Sequence, residues 1–124
     1  MLTYVAVAVG GAAGAMTRYG LARFIDHRLG GAFPYGTLSV NLLGSLAIGI
    51  LWALLDKQAD VPVELKQLLT VGFLGAFTTF STFSLDTMQW LQDAAYGKAM
   101  VNVLMNVVLC IAAAWLGTQI TRWR

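Results

Sequence analysis

The stretch Gly75-Ala76-Phe77-Thr78-Thr79-Phe80-Ser81-Thr82-Phe83-Ser84 alternates phenyl rings with hydroxyls just after Gly72 and Gly75. Hydroxyls and side-chain amides donate hydrogen bonds without carrying charge, and the edge of a phenyl ring is positive. A lining of this kind suits a small anion that must exchange its water for hydrogen-bond donors. Further neutral donors, Asn41, Asn102 and Asn106, lie in other apolar parts of the chain. If the phenylalanine stretch is helical, Phe77, Phe80 and Phe83 share one broad face, with Thr79, Thr82 and Asp86 on another. Asn102, Asn106 and Cys110 recur every four residues, and Ala114 and Thr118 continue that stripe. The plainer readings are aromatic packing, and amides that join helices in lipid for about 1 kcal/mol or less each.

Other chemistries find little support. Ser81 and Ser84 have no histidine in the apolar runs to act as a base, so the chain does not read as an enzyme. The one histidine, His27, falls in a polar loop, and no Cys or acidic pair stands at metal-ligand spacing. Asp86 is the only acid within an apolar run, and its ordinary role is a paired carboxylate near the membrane edge. A small proton-coupled dual-topology multidrug exporter is the alternative by size. Such exporters carry a titratable carboxylate in the first span, which here has none. The single cysteine, Cys110, excludes an intrachain disulfide and reads as an inert buried thiol.

The elements that must position these groups are apolar. Of 124 residues, 58% are hydrophobic and 11% charged, against roughly a quarter charged in a soluble domain. Near twenty apolar residues cross a hydrocarbon core of about 30 Å. Four such runs can be drawn, about 2–22, 36–55, 65–94 and 99–120, which predicts an all-α integral membrane protein with a single four-span domain over 1–124. The first run lacks a basic leader and a cleavage-type end, so it reads as a retained span. Asp26, His27, Arg28, Gly30, Gly31 and Pro34 form the first loop, Asp56 to Lys66 the second, and Tyr96-Gly97-Lys98 a short third joint. Arg18 and Arg23 mark the end of the first span, where long cationic stems reach the interface. Trp115 and Trp123 sit towards the end of the last. Gly72 and Gly75 weaken the third run, and broken backbone at membrane depth survives only where protein buries it or where it lines a cavity. Carbonyls freed at such a break can hold a cation.

The net charge of +2 comes from eight Lys and Arg spread along the chain, so neither a nucleic-acid patch nor a polybasic lipid-binding segment is present. With four spans, Lys57, Lys66, Arg122 and Arg124 fall on one side and Arg18, Arg23, Arg28 and Lys98 on the other. Lys and Arg asymmetry normally orients a bundle; a tie permits insertion both ways and an antiparallel homodimer. Gly10 with Gly14, and Ser45 with Gly49, are small residues four apart, the spacing that lets helices approach closely in lipid.

Three segments together resemble the Fluc (CrcB) fluoride channels: Gly10-Gly11-Ala12-Ala13-Gly14 with Arg18-Tyr19, Gly36-Thr37-Leu38-Ser39-Val40-Asn41 with Gly44, and Gly72 through Ser84. The resemblance covers the whole chain, and the third segment is the most specific. It implies a dual-topology homodimer in the bacterial inner membrane, with a broken third helix and two antiparallel pores for passive fluoride efflux. By the same resemblance Phe80 and Phe83 present ring edges to fluoride, Asn41 donates from the second span, and Ser81, Thr82 and Asn106 complete the polar track. It also implies a structural Na+ at the dimer centre, held by backbone carbonyls of Gly75 and Thr78. Asp86 stands where the family often has Glu, and Cys110 where some members have Ser; Cys110 is therefore not counted as a site residue.

Overall fold

The first helix, α1 (Leu2–Leu29), runs past the expected end of its apolar stretch. Gly30, at φ 85°, stops it in a left-handed turn and donates its N–H to the Asp26 carbonyl, 3.1 Å away. Asp26, His27 and Arg28 are thus the last turn of a helix and not a loop, because the left-handed terminator comes only at Gly30. The coordinates come from a computed structural model describing residues 1–122; Trp123 and Arg124 lie outside the described residues.

After a five-residue connection, α2 (Tyr35–Leu55) begins behind Pro34. The third helical run begins behind Pro62 and is divided: α3 (Val63–Gln67), a π-helical stretch (Leu68–Leu74), the short α4 (Gly75–Phe77), and then α5 (Phe80–Gln92). A tight turn through Ala94, at φ 54°, leads to α6 (Tyr96–Leu104), a second π-helical stretch (Met105–Leu109) and α7 (Cys110–Ile120). Tyr96, Gly97 and Lys98 are therefore the first turn of α6, and the joint is Asp93 to Ala95.

Three of these helical runs, Tyr35–Leu55, Val63–Gln92 and Tyr96–Ile120, are long and apolar enough to cross a membrane. The chain is a multi-pass membrane protein. α1, at 28 residues, is longer than two of them, but glycine, alanine and Arg18 dilute its hydropathy. Those small residues serve packing. A Cβ at Gly10 would strike the backbone carbonyl of Leu68, and one at Gly14 that of Phe73, so α1 lies directly against the π-helical stretch. On the other side, α2 and α7 meet at Gly49 against Ala114 and Gly117 against Leu46. Gly49 thus pairs with Gly117 across the helices, while Ser45 faces a cavity.

The interior is thin and partly polar. Val40, Leu74 and Phe77 form the buried apolar cluster, and Thr37, Asn102 and Asn106 are buried beside the apolar core. Large apolar side chains such as Leu43, Trp52, Val101, Leu104 and Ile111 face outward, as they do where lipid replaces water.

Candidate functional site

The third run breaks at two β-branched residues. Thr78 (φ −86°, ψ 157°) and Thr79 (φ −147°, ψ 111°) are extended between α4 and α5. Extended backbone inside an apolar layer must find partners other than its own helix, and Asn41 on α2 supplies them. Its Oδ1 accepts the Thr79 N–H at 2.7 Å, while its Nδ2 donates to the Thr79 carbonyl at 3.1 Å. The amide side chain acts as a piece of neighbouring strand. Thr79 then caps α5: its Oγ1 accepts the Thr82 N–H at 3.2 Å and donates to Thr82 Oγ1 at 3.0 Å.

These substitutions strip specific carbonyls of their helical donors. In an unbroken helix Gly75 O would take the Thr79 N–H, which is turned to Asn41. Thr78 O would take the Thr82 N–H, which is turned to Thr79 Oγ1. Ala76 O finds a replacement in Arg18, whose Nε donates to it at 2.9 Å. Arg18 is thus drawn inward from α1 onto the carbonyl end of a half-helix, where a cation is favoured, instead of reaching for the interface. Arg23 instead bonds Tyr19 Oη at 2.6 Å, with its guanidinium over that ring.

A cavity of about 510 Å³ opens beside the break, lined by Asn41, Gly75, Thr78, Phe80, Phe83 and Asn106 together with Ser45 and Cys110. Among the described residues, no charged side chain lines it. Six of the eight residues singled out from sequence are brought together here. Ser81 and Thr82 are not among the lining residues; they form the first turn of α5, tied to Thr79. Phe80 and Phe83 are neighbours, with ring centroids 5.2 Å apart and planes tilted by 59°. Phe83 is buried at 7% exposure and Phe80 is 76% exposed. Phe77 does not join them: it precedes the break, is buried in the core and stacks on Phe73 at 5.8 Å. The common face drawn from a spacing of three fails because the helix is interrupted between Phe77 and Phe80.

The asparagines form a chain of bonds. Asn41 Nδ2 also donates to Asn106 Oδ1 at 3.0 Å, and Asn106 Nδ2 to Asn102 Oδ1 at 3.0 Å. Asn102 Nδ2 in turn donates to Thr87 Oγ1 at 3.0 Å. The stripe does not continue beyond Cys110. Ala114 packs on Gly49, and Thr118 bonds its own helix at Trp115 O, 2.6 Å away. The π-helical stretch at Met105–Leu109 changes the register on which an unbroken period of four depends. Asp86 does not line the cavity; its Oδ2 is buried with no hydrogen-bond partner among the described residues, so the paired carboxylate expected there is not found.

The sequence that builds this geometry, a helix broken at paired threonines, pinned by an amide and flanked by two phenylalanines, matches known proteins along most of its length. Residues 5–118 match the family described as CrcB-like protein, Camphor Resistance (CrcB). The chain belongs to the CrcB-like family. Among its CrcB-like relatives, a protein of Magnetococcus marinus is 52% identical over 116 residues, 94% of each chain. One from Pseudoalteromonas translucida is 49% identical over 92% of this chain and 95% of its own. A third, from Geobacter metallireducens, is 46% identical over 98% of both. Each of the three bears the name fluoride-specific ion channel FluC. Among the side chains that line this cavity or bond to its neighbours, sequence reasoning passed over Thr87, Ser45 and the inward turn of Arg18. Asn102 carried a signal in its spacing from Asn106, whereas Thr87 carried none.

Proposed function

We propose that this chain is a fluoride-specific ion channel that lets fluoride leave the bacterial cytoplasm passively and so relieves fluoride toxicity. The observation that carries this reading is the break itself, where Phe80, Phe83, Asn41 and Asn106 meet in one cavity without a charged side chain. Near-full-length relatives bearing that channel name support it.

The polarity of the broken helix suits two ions of opposite sign. The run ending at Phe77 presents carbonyls, and α5 begins with amides, so a cation is favoured before the break and an anion after it. Gly75 O and Thr78 O, deprived of their helical donors, fit a hard cation bound by neutral oxygens, and Na+ is the ion proposed for them. That ion would neutralise the carbonyl end and hold the break together. On the anion side, ring edges of Phe80 and Phe83, the Ser81 and Thr82 hydroxyls and the Asn41 and Asn106 amides replace water. Both protons of Asn41 Nδ2 are already given to protein oxygens, so fluoride taking one displaces an internal acceptor.

A second, antiparallel copy completes the pathway. Gly75 and Phe80 are exposed in the single chain, and a homodimer would cover both. The tied charges on the two sides of the span arrangement, with α1 as the fourth span in the inner membrane, support insertion in both orientations. No energy source is needed: hydrofluoric acid enters through the bilayer and dissociates inside, and an interior-negative potential drives the anion out with about 2.3 kcal/mol per 100 mV.

The test is fluoride efflux from proteoliposomes. Efflux much faster than from protein-free vesicles, with chloride retained, is the expected result. No acceleration, or equal passage of chloride, would refute the channel. The proton-coupled exporter is less well supported, because Asp86 lies off the cavity it would have to serve.

A further inference from the structure

The bonds linking Asn41, Asn106, Asn102 and Thr87 have a direction, and both ends of the chain demand the same one. At one end the Thr79 N–H can only donate, so Asn41 must turn Oδ1 to it and Nδ2 to Asn106. At the other end the single proton of Thr87 Oγ1 goes to the Phe83 carbonyl, 2.8 Å away, which leaves its lone pair to accept from Asn102. Asn102 therefore points Nδ2 at Thr87 and Oδ1 at Asn106, whose Nδ2 bonds both that Oδ1 and the Asn102 carbonyl at 3.0 Å. Asn102 is 0% exposed, the most deeply buried polar side chain among the described residues. If its amide turned over, its Nδ2 would face Asn106 Nδ2. Either a buried donor stays unpaired, which is costly, or each amide turns in sequence until Asn41 presents Nδ2 to the Thr79 N–H. The error would then arrive at the break.

We propose that Asn102 and Thr87 are positioning residues for ion passage: they set the sense of an amide relay that orients Asn106 and Asn41 and so pins the break at Thr79. The role in ion passage rests on the fluoride-channel reading; the relay itself does not. Thr87, on α5, closes the circuit by returning the last proton to the backbone of Phe83, one of the two cavity phenylalanines. A side chain that touches no cavity surface thereby acts on the residues that do.

The experiment compares wild type with Thr87→Val, which keeps the shape and removes the hydroxyl, and with Thr87→Ser, which restores it. Two readouts are taken on each purified protein: fluoride efflux from proteoliposomes, and backbone hydrogen exchange at Thr79. In Thr87→Val, exchange at Thr79 should speed up and efflux should slow, each by about fivefold to tenfold, the effect of one lost buried hydrogen bond. Thr87→Ser should stay close to wild type in both, and all three proteins should elute alike in size exclusion. Unchanged exchange at Thr79 in Thr87→Val overturns the relay whether or not the protein conducts. Faster exchange with unchanged efflux overturns its role in ion passage. Serine behaving like valine overturns it as well, because the hydroxyl would then not be the cause. A wild type that moves no fluoride, yet shows the exchange changes, refutes the channel and leaves the relay standing.

Discussion

Phe80 and Phe83 differ more than their shared motif suggests. One ring is buried against its own chain and the other projects from it, yet the two remain in contact. Their proposed task uses the positive ring edge, which an aliphatic side chain of similar bulk lacks. Phe80→Ile and Phe83→Ile should therefore each slow fluoride efflux at least about tenfold, a loss of roughly 1.4 kcal/mol of barrier stabilisation. Size exclusion should still show the folded assembly. Wild-type efflux from both variants would remove the rings from the pathway. The residue scale was also the most legible in sequence, since neutral donors and phenyl rings in an apolar chain stand out by type alone. Thr87 escaped notice because a threonine that bonds its own helix at Phe83 O looks like any other. Only the side chain reaching it from α6 distinguishes it.

At the scale of elements, the break is made by three helices together. α2 supplies Asn41, α1 supplies Arg18, and the chain itself supplies the Thr79 cap. For Arg18 to reach Ala76, α1 must lie against the π-helical stretch with nothing but hydrogen at Gly10 and Gly14. Gly10→Ala would drive a methyl into the Leu68 carbonyl, which is backbone and cannot swing away. The expected cost is about 1 to 3 kcal/mol, read as a lower unfolding temperature in detergent; an unchanged temperature would mean that α1 packs elsewhere. The glycine spacing announced close packing, but it could not name the partner. Likewise glycines hinted at a weak third run, whereas the break falls three residues beyond Gly75, where Asn41 is available to receive it.

The whole molecule is shaped by how little one chain can bury. Its core is a few apolar residues beside buried amides, and the surface carrying Phe80 and Gly75 is left uncovered. The proposed remedy is a second copy in the opposite orientation, with Na+ shared through Gly75 and Thr78 carbonyls. Two results should follow in membranes and detergent. With Cys110→Ser as background, Gln58→Cys, an exposed and uncharged position in the second loop that leaves the Lys and Arg count untouched, should react with an impermeant maleimide from both sides of the bilayer in comparable amounts. Replacing Na+ with a bulky organic cation should shift the purified protein from dimer towards monomer. Labelling from one side alone would sink dual insertion, and a sodium-indifferent dimer would sink the ion.

Sequence alone determined the class of this protein, because apolar run length is a local property that a bilayer reads directly. It likewise exposed the donor-rich, phenyl-rich segment, since residue type sets what a side chain can offer. The tertiary structure decided which of those groups work together. It placed the break at Thr78 and Thr79, sent Phe77 to the core and turned Arg18 inward. It also ended the asparagine stripe at Cys110 and gave the amide chain its direction. Each of these depends on a hydrogen-bond partner or a close contact from a distant part of the chain. Periodicity within one helix carries no record of what lies across from it.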